Sequence, residues 1–441
     1  MFIKRMTYLT SIVIAFGALL TLAVQHSLAA PLAAPTSDPV SVCTWLGCKS
    51  GALSYTQDDA SNVVGANSCR PYLEAAGFRG TFFYDGTTVD TNWMADYVAA
   101  GHEIGSHLAS HLANNYAPAC HPNCTLVGLR QTPTTTEAIA SFRTDQIDPS
   151  VSLIESETGQ PVLSVAYPYG ATDANRMTAA ELYFLGARGY YNPDVANFPW
   201  ITSVNDATPP DAMLINSDDL SWQTLIQTAI NDSKWAVLTM HDYCFGIGED
   251  GNYLANNADS LWVAPMGEVL KYINVRNNAR FGNYVQTTNS ISFEAGHSLN
   301  PIARQTDTGT ALLPIVFDNP VTLVADLPEN NGVGSVTVDG TPVTFAITGS
   351  ITGTHSVYFT TSLGITRSVA IQLTGPTSVQ LRDMSVRSGT DLGENLGWLF
   401  AMLVLGAGGL VGLLKVSRQH PHHPVVSERH KLTAANRQQS S

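Results

Sequence analysis

Two adjacent carboxylates follow an apolar stretch near residue 55. Asp58 and Asp59 come two residues after Ala52–Tyr55, whose apolar pattern predicts a buried strand. One carboxylate of such a pair can bind a metal ion while its neighbour accepts a proton. Aspartate pairs in loops more often cap helices or contact water, so the pair alone is a weak sign of a catalytic site.

A pair of histidines, His107 and His111, follows a later predicted strand. Histidines four residues apart lie on the same face of a helical turn, where they can bind one metal ion. With Asp59 they form a set of two imidazoles and one carboxylate that leaves positions open for water. Such a set suits catalytic Zn²⁺ and also non-haem Fe²⁺. Two ordinary surface histidines are the alternative interpretation.

A third titratable group lies at the end of the apolar segment Trp235–Met240, which predicts another strand and is followed by His241. A histidine at the carboxyl end of a strand is well placed to act as a general acid or base. Taken alone, the segment is better explained by a half-buried histidine that bonds to a neighbour.

The elements that must position these residues alternate between short apolar strands and helices from residue 52 to about residue 289. This alternation predicts an α/β fold with a parallel sheet, open or closed into a barrel, whose chemistry lies at the carboxyl ends of the strands. The predicted strands are Ala52–Tyr55, Gly80–Tyr84, His102–Ser106, Val162–Tyr167, Ala187–Tyr191, Ala212–Asn216, Ala236–Met240 and Gly282–Gln286.

After about residue 291 the helical periodicity disappears and the chain becomes rich in Val, Thr and Gly. The alternating segment Ser335–Val338 and the Asp339-Gly340 pair that follows it predict a β-hairpin. We therefore expect a small all-β module over residues 300–378, acting as a binding unit or as a spacer. Residues 379–395 are polar and predict a linker.

Both ends of the chain predict a protein that is exported and anchored in a membrane. The basic start, the apolar stretch behind it and the small residues before Ala29 predict a signal peptide over residues 1–29, with an uncut anchor as the alternative. Residues 396–414 form an apolar run long enough to be a transmembrane helix. The basic tail, residues 415–441, favours a cytoplasmic position. The folded part is then expected on the outer face of the cell.

The net charge and the cysteines narrow the expected partners and compartment. The formal net charge is −14, and basic residues are concentrated at the two ends, so the central part is more acidic still. Such a field repels nucleic acid and favours a neutral or cationic partner. The six cysteines fit up to three disulfides in an oxidising compartment, with a zinc cluster at Cys120, His121 and Cys124 as the weaker alternative.

In this order and spacing, the three features resemble the polysaccharide deacetylase family, also described as the NodB-homology domain or carbohydrate esterase family four. The segments Gly80–Phe83, Gly101–His107 and Tyr167–Gly170, which lie between or beside the three features, also resemble the family's sequence pattern. The resemblance covers about residues 50–290. It implies a distorted (β/α) barrel as the fold of a catalytic domain over residues 30–295.

The resemblance also implies a role for each residue of the three features. Asp58 matches the general base and His241 the general acid, while Asp59, His107 and His111 match the metal ligands. Zn²⁺ is the expected ion, with Co²⁺, Ni²⁺ and Fe²⁺ as alternatives.

Further positions match the family's substrate pocket. Tyr169 matches the residue whose backbone N–H helps to hold the oxyanion, and Trp222 and Leu238 resemble walls of the acetyl pocket. Asp218 or Asp219 is the candidate to orient His241, and the sequence does not choose between them.

Three positions depart from the family pattern. Gln57 and Ala60 replace an aromatic residue and a glycine beside the paired carboxylates. The arginine that the family often has before its Pro-Tyr motif is absent, and Ser164 stands at the corresponding place. We therefore expect Asp58 to lack its usual cationic neighbour.

The resemblance implies a metal-dependent hydrolase that removes acetyl groups from an extracellular polysaccharide, with N-deacetylation of an N-acetylglucosamine-containing glycan as the first expectation. O-deacetylation of a polysaccharide such as xylan is the nearest alternative. A catalytically silent, membrane-tethered glycan-binding protein and a hydrolase of a non-glycan amide are the other two.

Overall fold

The computed structural model describes residues 39–60, 68–86, 91–110, 139–140, 142–170, 174–189, 204–218, 221–241, 243–247, 253–349 and 355–375. The helices are α1 (Arg70–Ala75), α2 (Trp93–Ala99), α3 (Asp148–Thr158), α4 (Ala174–Ala180), α5 (Trp222–Asp232), α6 (Tyr253–Asn256) and α7 (Met266–Asn277).

The strands of the first half are β1 (Val40–Val42), β2 (Gly51–Gln57), β3 (Thr81–Tyr84), β4 (Glu103–Ser106), β5 (Ser164–Ala166), β6 (Gly186–Arg188), β7 (Trp235–Met240) and β8 (Leu261–Val263). Those of the second half are β9 (Ala279–Gln286), β10 (Ser290–His297), β11 (Ile302–Gln305), β12 (Ala311–Ile315), β13 (Pro320–Leu327), β14 (Gly332–Val338), β15 (Thr341–Pro342), β16 (Phe345–Gly349), β17 (His355–Ser362) and β18 (Arg367–Thr374).

A seven-stranded sheet forms the first half of the fold, in the order β6-β5-β4-β3-β2-β7, with β8 also paired to β2. Every pairing in it is parallel. Parallel bridges from Arg188 to Ile215 and from Asp218 to Leu238 connect the two outer strands through the segment 215–218. The sheet therefore curves into a barrel that an irregular segment closes between β6 and β7.

The predicted strand Ala212–Asn216 is this closing segment, and among the described residues it forms only the isolated bridge at Ile215. The sequence prediction missed β8, which has only three residues. Both differences arise where strands are too short for a periodic pattern to develop.

Alternation along the strands divides the barrel into two layers. Leu53 and Tyr55 of β2 pack in a hydrophobic cluster with residues of the surrounding helices. Ser54 and Thr56, which alternate with them, are fully buried polar residues on the opposite face. The barrel interior is consequently polar toward the carboxyl ends of the strands.

The second half of the fold is an antiparallel β-sandwich of two sheets, in the orders β1-β13-β17-β16 and β15-β14-β18-β10-β9. One hydrophobic cluster contains inward-facing residues of both sheets, including Ile291, Val321 and Val369. The sandwich takes β1 from the N-terminal side of the barrel, so its sequence is not contiguous.

The predicted strand Gly282–Gln286 belongs to this sandwich and not to the barrel, because β9 pairs antiparallel with β10. The sandwich therefore begins at Ala279, earlier than the residue 300 expected from the sequence, and a boundary at residue 295 would cut through β10. The residue pattern of β9 and β10 predicts strands but does not indicate which sheet those strands join.

The barrel and the sandwich share packed elements. Helix α7 contributes Val269, Leu270 and Ile273 to the cluster that also fills the sandwich. The β11–β12 hairpin reaches the barrel through the buried Arg304, which pairs with Glu155 of α3.

Disulfides join Cys43 to Cys48 and Cys69 to Cys244. Cys120 and Cys124 lie outside the described residues, as do the predicted signal peptide, linker, transmembrane helix and tail. Within the part of the chain that the structure describes, no helix is both long and apolar enough to cross a membrane.

Candidate active site

Four of the predicted site residues meet at the carboxyl ends of the barrel strands. Asp58 and Asp59 follow β2, His107 follows β4, and His241 follows β7. Nε2 of His107 lies 3.9 Å from Oδ2 of Asp58 and 3.8 Å from Oδ1 of Asp59. Nε2 of His241 lies 3.7 Å from the same Oδ2 of Asp58. The two histidines, which are far apart in the sequence, therefore lie beside the same pair of carboxylates.

Asp58 is buried, yet its environment favours the ionised form. Its backbone N–H donates to the carbonyl of Met240 at 2.8 Å, which continues the β2–β7 pairing. Burial acts to raise the pKa of Asp58, but the positive charge of Arg188, together with His107 and His241, outweighs it and holds the pKa below its ordinary value. Asp58 is therefore a carboxylate at neutral pH.

The arginine that supplies this charge comes from β6. A guanidinium nitrogen of Arg188 donates to Oδ1 of Asp58, and Arg188 is only 1% exposed. The expectation that Asp58 lacks a cationic neighbour is therefore wrong. Ser164 faces elsewhere, since its hydroxyl donates to Glu103 at 2.7 Å. A charged residue inside an otherwise apolar predicted strand was the signal that could have identified Arg188.

His107 is oriented by a backbone carbonyl. Its Nδ1 lies 2.8 Å from the carbonyl oxygen of Ala166, which can only accept, so the proton is on Nδ1 and the lone pair on Nε2. A backbone carbonyl behind a histidine is a common arrangement in metal sites. The Nε2 lone pair is thus on the side of the two carboxylates.

The residues present fit a divalent metal ion. The 3.8 Å between Nε2 of His107 and Oδ1 of Asp59 is close to the roughly 3.4 Å between two ligands of a tetrahedral ion with bonds of about 2.1 Å. Asp59 has a left-handed backbone with φ of 51°, a conformation that is uncommon outside functional sites and turns. The third predicted ligand, His111, lies outside the described residues, within which no group of three potential ligands occurs.

The sequence predicts that His107 and His111 lie on one helical turn, but residues 107–110 do not form a helix. Residues 107–110 are irregular, and Leu108 has φ of 68°. The side chain of Leu108 is buried in the layer between sheet and helices. His107 is therefore positioned by the end of β4 and by Ala166, not by helical periodicity.

The predicted pocket residues have different outcomes. Tyr169 lies in the 3₁₀ turn Pro168–Gly170, directly after β5. Trp222 begins α5, makes an edge-to-face contact with Tyr253 at 5.1 Å, and lines a cavity of about 440 Å³ with Gln223, Tyr243 and Phe245. This cavity is bordered by the loop that follows His241.

Leu238 is buried in the hydrophobic cluster of the barrel. It alternates with Thr239 along β7, so its side chain lies on the opposite face of the sheet, where it is fully buried among residues packed by the helices. The role of Leu238 as a wall of the acetyl pocket stays a prediction, and Trp222, the other predicted wall, packs against the same hydrophobic cluster. Asp218 is buried and its backbone pairs with β7 through Val237 and Thr239, while Asp219 lies outside the described residues.

Gln57, a departure from the family pattern, is a second residue that the sequence did not identify as part of the site. Its side-chain amide donates to the carbonyl of His241 at 2.8 Å, and its amide oxygen accepts from the backbone N–H of Cys69 at 3.0 Å. Cys69 is bonded to Cys244. Gln57 therefore connects the end of β7 to the disulfide that closes the following loop.

Solved structures with similar chains include a family 4 acetyl xylan esterase from Clostridium thermocellum, at 16% identity, a TM-score of 0.31, and coverage of 50% of this chain and 91% of that chain. A family pseudoenzyme from Bacillus anthracis is 18% identical, with a TM-score of 0.31 and coverage of 50% and 65%. A peptidoglycan deacetylase from Bacillus subtilis is 15% identical, with a TM-score of 0.31 and coverage of 54% and 94%.

No curated protein matches the chain. The family model described as polysaccharide deacetylase matches residues 49–187. This range includes Asp58, Asp59 and His107, and it ends one residue before Arg188. Over residues 49–187 the chain is therefore similar to the polysaccharide deacetylase family.

Proposed function

We propose that this protein is an active metal-dependent deacetylase that removes acetyl groups from an extracellular polysaccharide, with N-acetylglucosamine units as the preferred substrate. The observation that carries the proposal is the position of Oδ2 of Asp58, 3.9 Å from Nε2 of His107 and 3.7 Å from Nε2 of His241. A base, an acid and a metal-ligating imidazole thus share one small site.

Asp59, His107 and His111 would hold the ion, with Zn²⁺ as the first choice. When bound, it would supply a Lewis acid that polarises the acetyl carbonyl and makes a water molecule acidic. Asp58, held ionised by Arg188, accepts the proton of the attacking water. The backbone N–H of Tyr169 is the proposed donor to the oxyanion.

His241 is proposed to protonate the departing amine. Its side chain is 44% exposed, whereas that of Asp58 is 5% exposed. The base is therefore enclosed while the acid faces the solvent side from which a polymer would approach. If the substrate were an O-acetyl sugar, His241 would protonate the departing alcohol in the same way. The proposed chemistry therefore suits cleavage of an acetyl amide and of an acetyl ester.

A neutral glycan is the proposed partner because the chain is acidic, with a net charge of −14. We further propose that the protein is exported and anchored by residues 396–414, with its catalytic domain outside and residues 415–441 in the cytoplasm. The disulfide between Cys69 and Cys244 supports an oxidising location.

The test is acetate release by the full-length protein from N-acetylglucosamine oligomers and from acetylated xylan. We expect release to stop with a chelator, to return with Zn²⁺, and to fall about 100-fold or more in Asp58→Asn, because the variant loses its proton acceptor. Asp206→Asn, at an exposed aspartate paired with Lys234, is the matched control.

Release from xylan alone would identify an O-deacetylase. If folded, Zn²⁺-loaded protein released acetate from neither polymer but bound one of them, the silent glycan-binding alternative would replace the proposal. Release from small acetamides alone would favour a non-glycan amidase.

A further inference from the structure

The residues that follow β4 have no regular secondary structure to satisfy their backbone. Residues 107–110, called here the histidine segment, are irregular, and both His107 and Leu108 are buried. Buried backbone N–H groups outside helices and sheets need hydrogen-bond acceptors from other parts of the fold. The acceptors that serve this segment therefore determine its path.

Gln146 supplies acceptors for two successive N–H groups of the histidine segment. Its backbone carbonyl accepts from the N–H of Ala109 at 2.9 Å. Its side-chain oxygen Oε1 accepts from the N–H of Ser110 at 3.2 Å and from the Ser110 hydroxyl at 3.0 Å. One residue thus holds the end of the segment through both its backbone and its side chain.

Gln146 is itself part of a well-anchored helical element. It lies in the π-helical turn Arg143–Ile147, which leads directly into α3, and it is 7% exposed. Single π-helical turns are rare and are frequent at functional sites. A buried side chain on a helical turn has few rotamers open to it, so Oε1 is an acceptor in a fixed place.

The strands β3 and β4 confine the histidine segment as well. The N–H of Leu108 donates to Oγ of Ser106, the last residue of β4, at 3.0 Å. A side chain at Gly86, just beyond β3, would place its Cβ 2.2 Å from the carbonyl oxygen of Ala109. Ala109 therefore bonds to Gln146 through its N–H and lies close against Gly86 through its carbonyl.

This anchoring bears on the two histidines that the proposed function assigns to the metal ion. His107 begins the segment, and His111 is the next residue in the sequence after Ser110. Residues 107–110 do not form the helical turn that would place two histidines on one face. The relative position of the two imidazoles therefore depends on the path that the segment takes.

We propose that Gln146 is a positioning residue for the metal ligands, because it fixes the path of the histidine segment between His107 and His111. It acts through the backbone of the segment and not as a ligand. The inference rests on the proposed function, which assigns both histidines to the ion. Residues that orient metal ligands from outside the ligand set typically contribute about 10- to 100-fold to metal affinity.

Titration calorimetry of the full-length protein with Zn²⁺ alone measures this contribution. We expect the Kd of Zn²⁺ to rise about 10-fold or more in Gln146→Leu, which lacks the Oε1 acceptor. Asp148→Leu is the matched control. Asp148 is also 7% exposed and lies two residues further on, but it accepts from the hydroxyl of Tyr183 at 2.6 Å and from the N–H of Asp307 at 2.9 Å. We expect Asp148→Leu to lose thermal stability and to keep the wild-type Kd.

Two further measurements separate positioning from a general loss of structure. Gln146→Glu keeps an oxygen that can accept from Ser110, and it is expected to retain a Kd closer to the wild type than Gln146→Leu does. Co²⁺ bound in place of Zn²⁺ reports the geometry of its ligands through its visible absorption. We expect this absorption to change in Gln146→Leu and to stay the same in Asp148→Leu.

The proposal is overturned if Gln146→Leu binds Zn²⁺ as tightly as the wild type, if Asp148→Leu weakens binding equally, or if Gln146→Glu weakens it as much as Gln146→Leu. An unchanged Co²⁺ absorption in Gln146→Leu would overturn it too. Should Gln146→Leu not fold, Gln146→Asn takes its place, because the shorter amide cannot reach Ser110.

Acetate release distinguishes a failure of this inference from a failure of the proposed function. A wild type that binds Zn²⁺ but releases no acetate would refute the proposed activity, and the Kd values would still decide the role of Gln146. Acetate release by the wild type together with an unchanged Kd in Gln146→Leu would refute the role of Gln146 alone. A wild type that binds no Zn²⁺ would refute both.

Discussion

At the scale of single residues, two buried polar side chains, Arg188 and Gln57, contact the proposed site residues or their backbone. Arg188 forms a buried ion pair with Asp58, and Gln57 bonds the backbone at His241 and at Cys69. Gln57 is 1% exposed, so its amide hydrogen bonds are made without competition from water.

Gln57→Leu tests this role. The variant leaves the carbonyl of His241 and the N–H of Cys69 without the amide that bonds them, which is expected to lower the free energy of unfolding by about 1–3 kcal/mol. We also expect kcat to fall, because the backbone that carries His241 loses a restraint. Urea unfolding and acetate release measure the two effects.

Gln227→Leu is the control for Gln57→Leu, since Gln227 is an exposed residue of α5 whose side-chain amide donates to the hydroxyl of Tyr253 in α6. It should change the unfolding free energy by no more than about 0.5 kcal/mol. Equal effects of the two substitutions would contradict a special role for Gln57.

At the scale of elements, Glu103 joins three strands to a helix at the end of the barrel opposite the site. Its carboxylate accepts from the hydroxyls of Thr81 and Ser164, on β3 and β5, and from the backbone N–H of Gly267 in the first turn of α7. Burial raises the pKa of Glu103 and outweighs these hydrogen bonds.

The raised pKa predicts a dependence of stability on pH. The folded state keeps the Glu103 proton at a pH where the unfolded chain has lost it, so this residue's contribution to stability falls as pH rises from about 4.5 through the folded-state pKa. Glu103→Gln resembles the protonated acid, with its NH₂ group able to donate to Ser164. The variant should therefore gain stability relative to the wild type as pH rises.

Urea unfolding of wild type and Glu103→Gln between pH 5 and pH 8 measures this difference. Burial lowers the pKa of His102 to about 4, so the unfolded chain binds a proton at this residue more readily than the folded protein does. This makes stability rise with pH, which is opposite to the effect of Glu103. The His102 effect is present in both proteins and cancels in their difference. Glu294→Gln, at an exposed position, is the control. Parallel stability curves for wild type and Glu103→Gln would refute the prediction.

At the scale of the whole molecule, the barrel and the sandwich are built from interleaved parts of the chain. Strand β1 precedes the barrel in sequence but pairs with β13 of the sandwich, from Val40 opposite Ala325 to Val42 opposite Leu323. The hydroxyl of Tyr272 in α7 donates to the carbonyl of Cys43 beside this strand. The two parts are consequently expected to fold together.

A chain restricted to residues 30–295 is expected to lose cooperative stability, because β1 loses β13 and the remainder of β10 loses β18. Ile291 and Phe293, buried in the full fold, would then be exposed to water. Residues 30–375 form the comparison. Circular dichroism during heating should give a lower or broader transition for the shorter chain, whereas coincident transitions would show that the barrel folds alone.

The sequence alone was sufficient to predict that the proposed site residues lie close together. The carboxylate pair, His107 and His241 each follow a predicted strand, and parallel strands bring their carboxyl ends to one edge, so periodicity and motif spacing were sufficient to predict that they meet. The α/β pattern of the first half and the β pattern of the second were equally local properties, which is why they were predictable.

Only the tertiary structure decided which other residues contact the proposed site residues. Arg188 reaches Asp58 across 130 positions of the chain, and Gln57 bonds partners on two other elements, so no local pattern could reveal either contact. The register of β7 against β2 determines which face of the sheet Leu238 occupies. Pairing with β10 determines that β9 joins the sandwich. Side-chain chemistry is encoded residue by residue, whereas the partners of buried charges and of edge strands are set by the closing of the whole fold.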